Sequence, residues 1–534
     1  MRTSTRAILI AACLGAMTGC TCGTLPDAIF HCEADGGCES GLVCGADGLC
    51  RPQLGEGDAG EGDAGEGDAG EGDAGEGDAG QVDAGEADAG EVDGGEVDAG
   101  EVDDAGEVDA GGVDAGVADA GHPCDLAACS FVGGGAPFSP VDRATTDVCL
   151  LDVDGDRDLD PVWVSQPGPL LSDGGEVLGG IELSVNVNPD AGQFQTQTIV
   201  SGLTDGWFFG ATGDVTGDGV ADVITTRAST SRTQLLLFRS NGGTIAPDPT
   251  AFPVFTGRDA GYVFGRAALG DLDGDGDLDV FLPVAYRMDF LSSMPNHTLF
   301  NDGTGHFSDL ARLPLVSINE DYSFCGAAAD FTGDGRVDLF VGSANSSPRL
   351  MINTDGGFED QTASDAGVSR IPSQWQRAYA CRAVDIDGDS DQDVLVMNDA
   401  AQLADGGFAL AGNYLYLNDG QGFFTASQMP SAGPFDGRSM ATVDLNGDGR
   451  LDIVFGNNGE SSPHGGTALE ILLQQPGGTF QLATGVPSLN DNIFGLAAAD
   501  LNGDGLVDLL LARSRQFETS TGALRNTVLW GTPR

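Results

Sequence analysis

The nine residues Asp271-Leu272-Asp273-Gly274-Asp275-Gly276-Asp277-Leu278-Asp279, followed by Val280-Phe281-Leu282, decide the reading of this chain. Their pattern, D-x-[D/T/N]-G-D-x-x-x-D and then an apolar run, occurs seven times. The other copies are DVDGDRDLD from Asp152, DVTGDGVAD from Asp214, DFTGDGRVD from Asp330, DIDGDSDQD from Asp385, DLNGDGRLD from Asp444 and DLNGDGLVD from Asp500. Successive copies start 62, 57, 59, 55, 59 and 56 residues apart. A sustained period of this size marks a repeat architecture. A run of small residues precedes each loop, as in FGRAALGD and FCGAAAD, and an apolar run follows, as in LDVFLPV and LDIVFGN. A third run (HTLFNDG, NYLYLNDG) then turns through glycine into a fourth (GHFSDL, GFFTAS). NDG and DG are tight-hairpin signals. Four antiparallel strands in each of seven units predict an all-β chain, a seven-bladed β-propeller with four-stranded blades.

The loops carry the chemistry. A hard divalent cation such as calcium takes six to eight oxygen ligands, and side chains at loop positions 1, 3, 5 and 9 can converge on one. Position 1 is Asp152, Asp214, Asp271, Asp330, Asp385, Asp444 and Asp500; position 5 is Asp156, Asp218, Asp275, Asp334, Asp389, Asp448 and Asp504. Position 9 is Asp160, Asp222, Asp279, Asp338, Asp393, Asp452 and Asp508. Position 3 varies: Asp154, Asp273 and Asp387, Thr216 and Thr332, Asn446 and Asn502. Position 7 offers a backbone carbonyl from Asp158, Val220, Asp277, Arg336, Asp391, Arg450 and Leu506. Glycine at positions 4 and 6 allows the positive φ that folds the loop, but Arg157 and Ser390 replace the second one in loops one and five. An EF-hand would need Glu at position 12; here that position holds Trp163, Thr225, Leu282 and other non-acidic residues. The reading is up to seven calcium ions, held between strands.

The loops, together with the pairs Phe209-Gly210, Phe264-Gly265 and Phe494-Gly495, resemble FG-GAP, or VCBS, repeats over residues 130 to 534. Such repeats build the integrin α-subunit propeller and many bacterial surface proteins. The resemblance implies calcium in the loops and a binding or adhesion role.

The N-terminal third differs in composition. Arg2 and Arg6 precede a short apolar stretch, and Met17-Thr18-Gly19-Cys20 resembles a bacterial lipobox. Residues 1–19 read as a lipoprotein signal peptide and Cys20 as the acylated residue. The protein would then be exported to the outer membrane or cell surface, with the lipid as its only membrane contact. Residues 20–51 hold evenly spaced Cys32, Cys38, Cys44 and Cys50. In an oxidising compartment this reads as a disulfide-rich module of undetermined connectivity rather than a zinc site. Residues 52–121 contain five copies of EGDAG, 24 acidic residues and no basic one. Lacking apolar mass, the tract predicts a disordered linker or stalk. The propeller takes 122–534. The net charge of −60, with no lysine, excludes nucleic acid as a partner.

None of the five histidines stands in a motif with a nucleophile, and there is no P-loop, GxSxG or HExxH. The sequence therefore reads as a non-enzyme that binds a protein or glycan. A polysaccharide-active enzyme resembling a calcium-dependent lyase is the competing reading. Strand parity puts the ligand face opposite the calcium loops, where Arg287, Tyr322, Trp375 and Arg377 are the candidate contacts. Two further expectations concern the fold. Ala136 to Val141 should close the ring against Asn526 to Trp530. Cys149, Cys325 and Cys381 should be buried unpaired thiols, while Cys124 and Cys129 could pair.

Overall fold

The computed structural model describes residues 42–44, 50–52, 124–125 and 128–133, and then 144–532 apart from stretches between strands, the longest being 167–178, 313–321, 459–467 and 515–525. The expected signal peptide and lipidation site at Cys20, and nearly all of the cysteine-rich and acidic segments, lie outside the described residues. Two units are distinguished, Gly19–Gly106 and the remainder. In the first, Leu42–Cys44 pairs antiparallel with Cys50–Pro52, placing Cys44 opposite Cys50.

The second unit is all-β, and its seven four-stranded antiparallel sheets form a β-propeller. Each blade follows the order of the sequence. In blade four, Ser323–Ala329, Asp338–Ser343, Arg349–Thr354 and Gly357–Asp360 lie side by side. The second strand of every blade begins at the position-9 aspartate. First strands of successive blades touch all the way round, and Asn492–Ala499 of blade seven meets Ala144–Leu151 of blade one.

The apolar runs after each loop are unbroken because both faces of a second strand are covered. Leu509 and Leu511 pack toward blade six, whereas Leu510 and Ala512 pack toward blade one. Trp163 likewise faces blade seven while Val162 and Val164 face blade two. The core is thus divided into seven apolar clusters, one per joint between blades. Burying such side chains contributes roughly 1.5–3 kcal/mol each, so the joints hold the ring.

Two expectations are corrected. The seventh blade is completed by an N-terminal strand, but that strand is Phe131–Gly133, with Trp530 opposite Val132 and Gly531 opposite Phe131. The predicted Ala136–Val141 falls outside the described residues. Its Pro137 and Pro140 have no amide proton to give a ladder, whereas Phe131 and Val132 are good strand formers. Flanking bonds fix the closure: the Thr532 amide donates to the Ser130 carbonyl at 3.1 Å, and the Cys129 amide to Thr484 of blade six at 2.7 Å.

The second correction concerns the thiols. Cys325 and Cys381 form a disulfide across 56 residues, joining the first strands of blades four and five. Their Cα atoms are 5.4 Å apart, and Gly342 leaves room: a Cβ there would lie 2.5 and 2.6 Å from the two sulfurs. Of these three, Cys149 is the one buried free thiol, as expected. Cys129 is disulfide-bonded and stands opposite Cys124 in a two-stranded ribbon.

Pairs alternate in an antiparallel ladder, so the Ser130–Thr532 bond makes Val132 the next residue to bond across. Val132→Pro should therefore lower stability by about 1–3 kcal/mol while Val132→Thr leaves it nearly unchanged; a denaturant titration of both variants checks this.

Candidate metal centres

Each loop is built round its first and last aspartates. In loop three the Asp271 carboxylate accepts the amides of Gly274, Asp275 and Gly276 at 2.7, 3.1 and 3.0 Å. Asp279, buried, accepts the Leu272 amide on one oxygen at 2.8 Å and the Asn301 amide of the third strand on the other at 2.7 Å. The same bracket recurs at Asp160, Asp338, Asp393, Asp452 and Asp508. Loop positions 3 to 6 remain largely exposed.

Carboxylate oxygens converge in three loops. Asp152, Asp154 and Asp160, then Asp271, Asp273 and Asp279, then Asp385, Asp387 and Asp393, each offer oxygens within 4.8 Å of one another. Asp154, Asp156 and Asp158 form a further group in loop one. Neither oxygen of Asp158, nor Oδ1 of Asp391, meets a hydrogen-bond donor although these atoms are buried. Crowded, under-bonded, all-oxygen donors of this kind fit a hard cation.

Loops four and six differ. There the position-7 residues Arg336 and Arg450 fold back so that each guanidinium pairs with the position-5 carboxylate of its own loop, Asp334 and Asp448. Their Nε groups also donate to the carbonyls of Asn353 and Gln474. A side-chain cation thus already meets part of the acidic charge. Thr332 of loop four donates to Asp338 at 3.1 Å. The two substituted glycines take the conformation that glycine would: Arg157 and Ser390 have φ of 76° and 75°.

Burial sets the electrostatics. It pushes the carboxyls of Asp279, Asp393, Asp452 and Asp508 up to about 7, and those of Asp160 and Asp338 up to about 6, against the pull of their backbone hydrogen bonds. Burial, then the Asp156 carboxylate, raise Asp158 to about 7, and burial with Asp389 beside it raises Asp391 to about 6. Asp154, Asp273 and Asp387 are raised too, by burial and then by their neighbours' charge.

A second constellation fills the centre of the ring and was not foreseen. One side chain from each blade meets there: Asp147, Phe209, Arg266, Phe324, Tyr379, Arg438 and Phe494. Arg266 spans the shaft, donating to Asp147 of blade one at 2.8 Å and to the carbonyls of Arg438 and Phe494 at 3.1 and 3.3 Å. Its guanidinium lies 4.6 Å from the Phe209 ring, and that of Arg438 lies over Tyr379 and Phe494. Tyr379 also stacks on Phe324. The Phe-Gly pairs were the available signal. Phe209 and Phe494 point into the shaft, whereas Phe264 is buried in a joint. The glycines permit close approach of first strands: a Cβ on Gly265 would lie 2.1 Å from the Phe324 carbonyl oxygen.

Of the ligand-face candidates, Arg377 sits just before a first strand, its amide bonded to Asn398 and its guanidinium 3.5 Å from Asp399. Asp399 also pairs with Arg438 at 3.3 Å, which links that face to the shaft. Tyr322 is half-buried. Arg287 ends the strand Val284–Arg287, opposite Tyr262; its side chain and Trp375 lie outside the described residues.

With this geometry in place, the family comparison is direct: the model for the FG-GAP-like repeat matches residues 214–282, 330–396 and 385–455. The chain carries FG-GAP-like repeats. Linkin of Caenorhabditis elegans is 23% identical over 278 residues, 49% of this chain and 44% of linkin. The chain spans less than half the length of the curated relatives it matches. Among solved structures, BBS1N in complex with ARL6DN has a TM-score of 0.41 at 11% identity, covering 75% of this chain and 96% of that one. The exotype rhamnogalacturonan lyase YesX has a TM-score of 0.31 at 13% identity, covering 67% and 69%.

Two measurements follow from the FG-GAP loops. Carboxyls raised in the folded state favour folding when protonated; that contribution is complete below about pH 4 and is lost as pH rises through about 6 to 7. In chelator, the melting temperature should therefore fall between pH 5 and pH 8, and a flat profile would contradict the raised carboxyls. Separately, Arg157→Gly and Ser390→Gly relieve a left-handed side chain and should each stabilise by about 1 kcal/mol, read by equilibrium unfolding.

Proposed function

We propose that this chain is an exported calcium-binding propeller, held at the outer membrane or cell surface by a lipid on Cys20. It would act as a binding or adhesion module at the end of an acidic stalk. The observation that carries the calcium part is the convergence of carboxylate oxygens in loops one, three and five. There Asp152, Asp154 and Asp160, Asp271, Asp273 and Asp279, and Asp385, Asp387 and Asp393 would hold the ion, with the position-5 aspartates and position-7 carbonyls completing an oxygen shell. The ion would supply positive charge to buried carboxylates and so stiffen the loops. Loops two and seven, with Thr216 and Asn502, would bind more weakly. Loops four and six, with Arg336 and Arg450 already paired, would bind least.

Binding is favoured over catalysis because the shaft, where a propeller gathers residues from every blade, is occupied by mutually paired side chains of the chain itself. Recognition then falls to the connections on the face of Arg377 and Tyr322, which vary in length from blade to blade as binding loops on a rigid frame do. The partner would be a protein or a glycan.

Calcium at about 1 mM, acting on sites with dissociation constants of about 10⁻⁴ M, would stabilise by roughly 1.4 kcal/mol per site, or about 4 for three. Isothermal titration should find three stronger sites, and Asp271→Ala with Asp273→Ala should remove one of them. Identical melting curves in EDTA and calcium would end the calcium reading. Release of unsaturated sugars from polysaccharides by the purified chain would replace the binding reading with the lyase one.

A further inference from the structure

The loops do not stand alone on their face. In five blades a residue at or near the end of the third strand carries a side-chain amide, and it points at the loop of the preceding blade. Asn301 donates to the Val215 carbonyl at 2.8 Å, Asn353 to Leu272 at 2.9 Å and Asn418 to Phe331 at 3.0 Å. Gln474 donates to Ile386 at 2.7 Å, and Asn186 of blade one reaches Leu501 of blade seven at 2.9 Å. Every acceptor is the position-2 carbonyl of a metal loop. At the joint of blades one and two, the Gly243 amide does the same for the Val153 carbonyl at 3.0 Å. Blade seven has Gly531 at this place, the residue whose amide bonds Asp508.

Each of the five amide residues also donates its own backbone N–H to the position-9 aspartate of its own blade, at 2.7 to 2.8 Å. The position-2 residue is shared in the same way: at Leu272, Phe331, Ile386 and Leu501 the residue whose carbonyl accepts from the next blade gives its N–H to its own position-9 aspartate. At these four joints each buried carboxylate is therefore tied to the next through the backbone of one position-2 residue and the side chain and backbone of one amide residue.

We infer that Asn186, Asn301, Asn353, Asn418 and Gln474 are positioning residues that couple neighbouring loops, so that ordering one loop orders the next. Resting on the calcium reading above, the consequence is cooperative filling of the sites. An ion that fixes Asp393 in loop five also fixes the Asn418 backbone, hence its side chain, hence the Phe331 carbonyl of loop four. Repetition of the same contact at five joints, with glutamine reproducing it once, argues against accident.

The test uses the full chain and two readouts. Asp330→Ala loosens loop four by removing the acceptor of its turn amides. In chelator, hydrogen exchange of loop-three amides, residues 272–277, should then quicken roughly two- to tenfold, the worth of one hydrogen bond. In an Asn353→Ala background the same change should add nothing, and Asn353→Gln should restore the coupling. An equal response of loop three with and without the Asn353 amide overturns the inference, as does no response in either. In calcium titrations, wild type should give a Hill coefficient above one. The double variant Asn353→Ala, Asn418→Ala should keep the number of sites while the coefficient falls toward one; a superimposable isotherm also overturns the coupling. Absence of calcium uptake by the wild type would overturn the proposed function and the cooperative filling, while the exchange result would still decide whether the loops are coupled.

Discussion

The structure depends on one buried carboxylate per blade. The aspartate that opens each second strand is almost fully withdrawn from solvent, and in six blades its two oxygens are fixed by two amides from different parts of the blade, while Asp222 of blade two accepts the Ser240 amide. A buried ionised group costs stability unless it is hydrogen-bonded or paired. The amides meet part of that cost, and burial still pushes the carboxyls upward against their pull. A cation in the loop would meet the rest. The arrangement makes each blade's turn, its second strand and its third strand answer to a single side chain.

From this point the ring is held in two layers that differ in chemistry. On the loop side, peptide and amide bonds run between blades. Deeper in, the joints are apolar, with Leu509 and Leu510 facing opposite neighbours from adjacent positions. Along the axis, Arg266 ties blade three to blades one, six and seven at once, and the Cys325–Cys381 bridge ties four to five covalently. Covering both faces of every second strand leaves only outer edges open, and Phe131–Gly133 shows how the last open edge of the ring is taken up by the other end of the chain.

Much of this was legible because it repeats. Seven copies of one pattern located the loops, the strand order and the blade count, and the expected Asn526 to Trp530 strand of the last blade agrees with Thr527–Gly531 to within a residue at each end. What was not legible does not repeat. Cys325 and Cys381 stand at different offsets from their loops, so nothing in the spacing announces that adjacent first strands bring them together. The shaft draws one residue from each blade, three Phe, two Arg, one Tyr and one Asp, and its ion pair joins positions 119 residues apart. The closing strand is a three-residue segment whose pattern is too short to register against the richer-looking Ala136–Val141. Local periodicity predicts what each blade does for itself; contacts made once, across the ring, need coordinates.

Loops four and six show why the loop frame and the metal are separable. In both, the position-9 bracket is intact, yet an arginine has come to lie against the position-5 carboxylate. The fold thus accepts either a side-chain guanidinium or, on the proposed reading, an external cation as partner to the same acidic turn. Arginine delivers its charge without regard to calcium concentration, whereas Asp158 and Asp391 at the same position add negative charge and leave oxygens unbonded. One residue therefore sets whether a blade is self-neutralised or dependent on its surroundings. On the proposed reading the remaining loops would take their neutralising charge from divalent cations, and the side-chain amides would join the two kinds of blade.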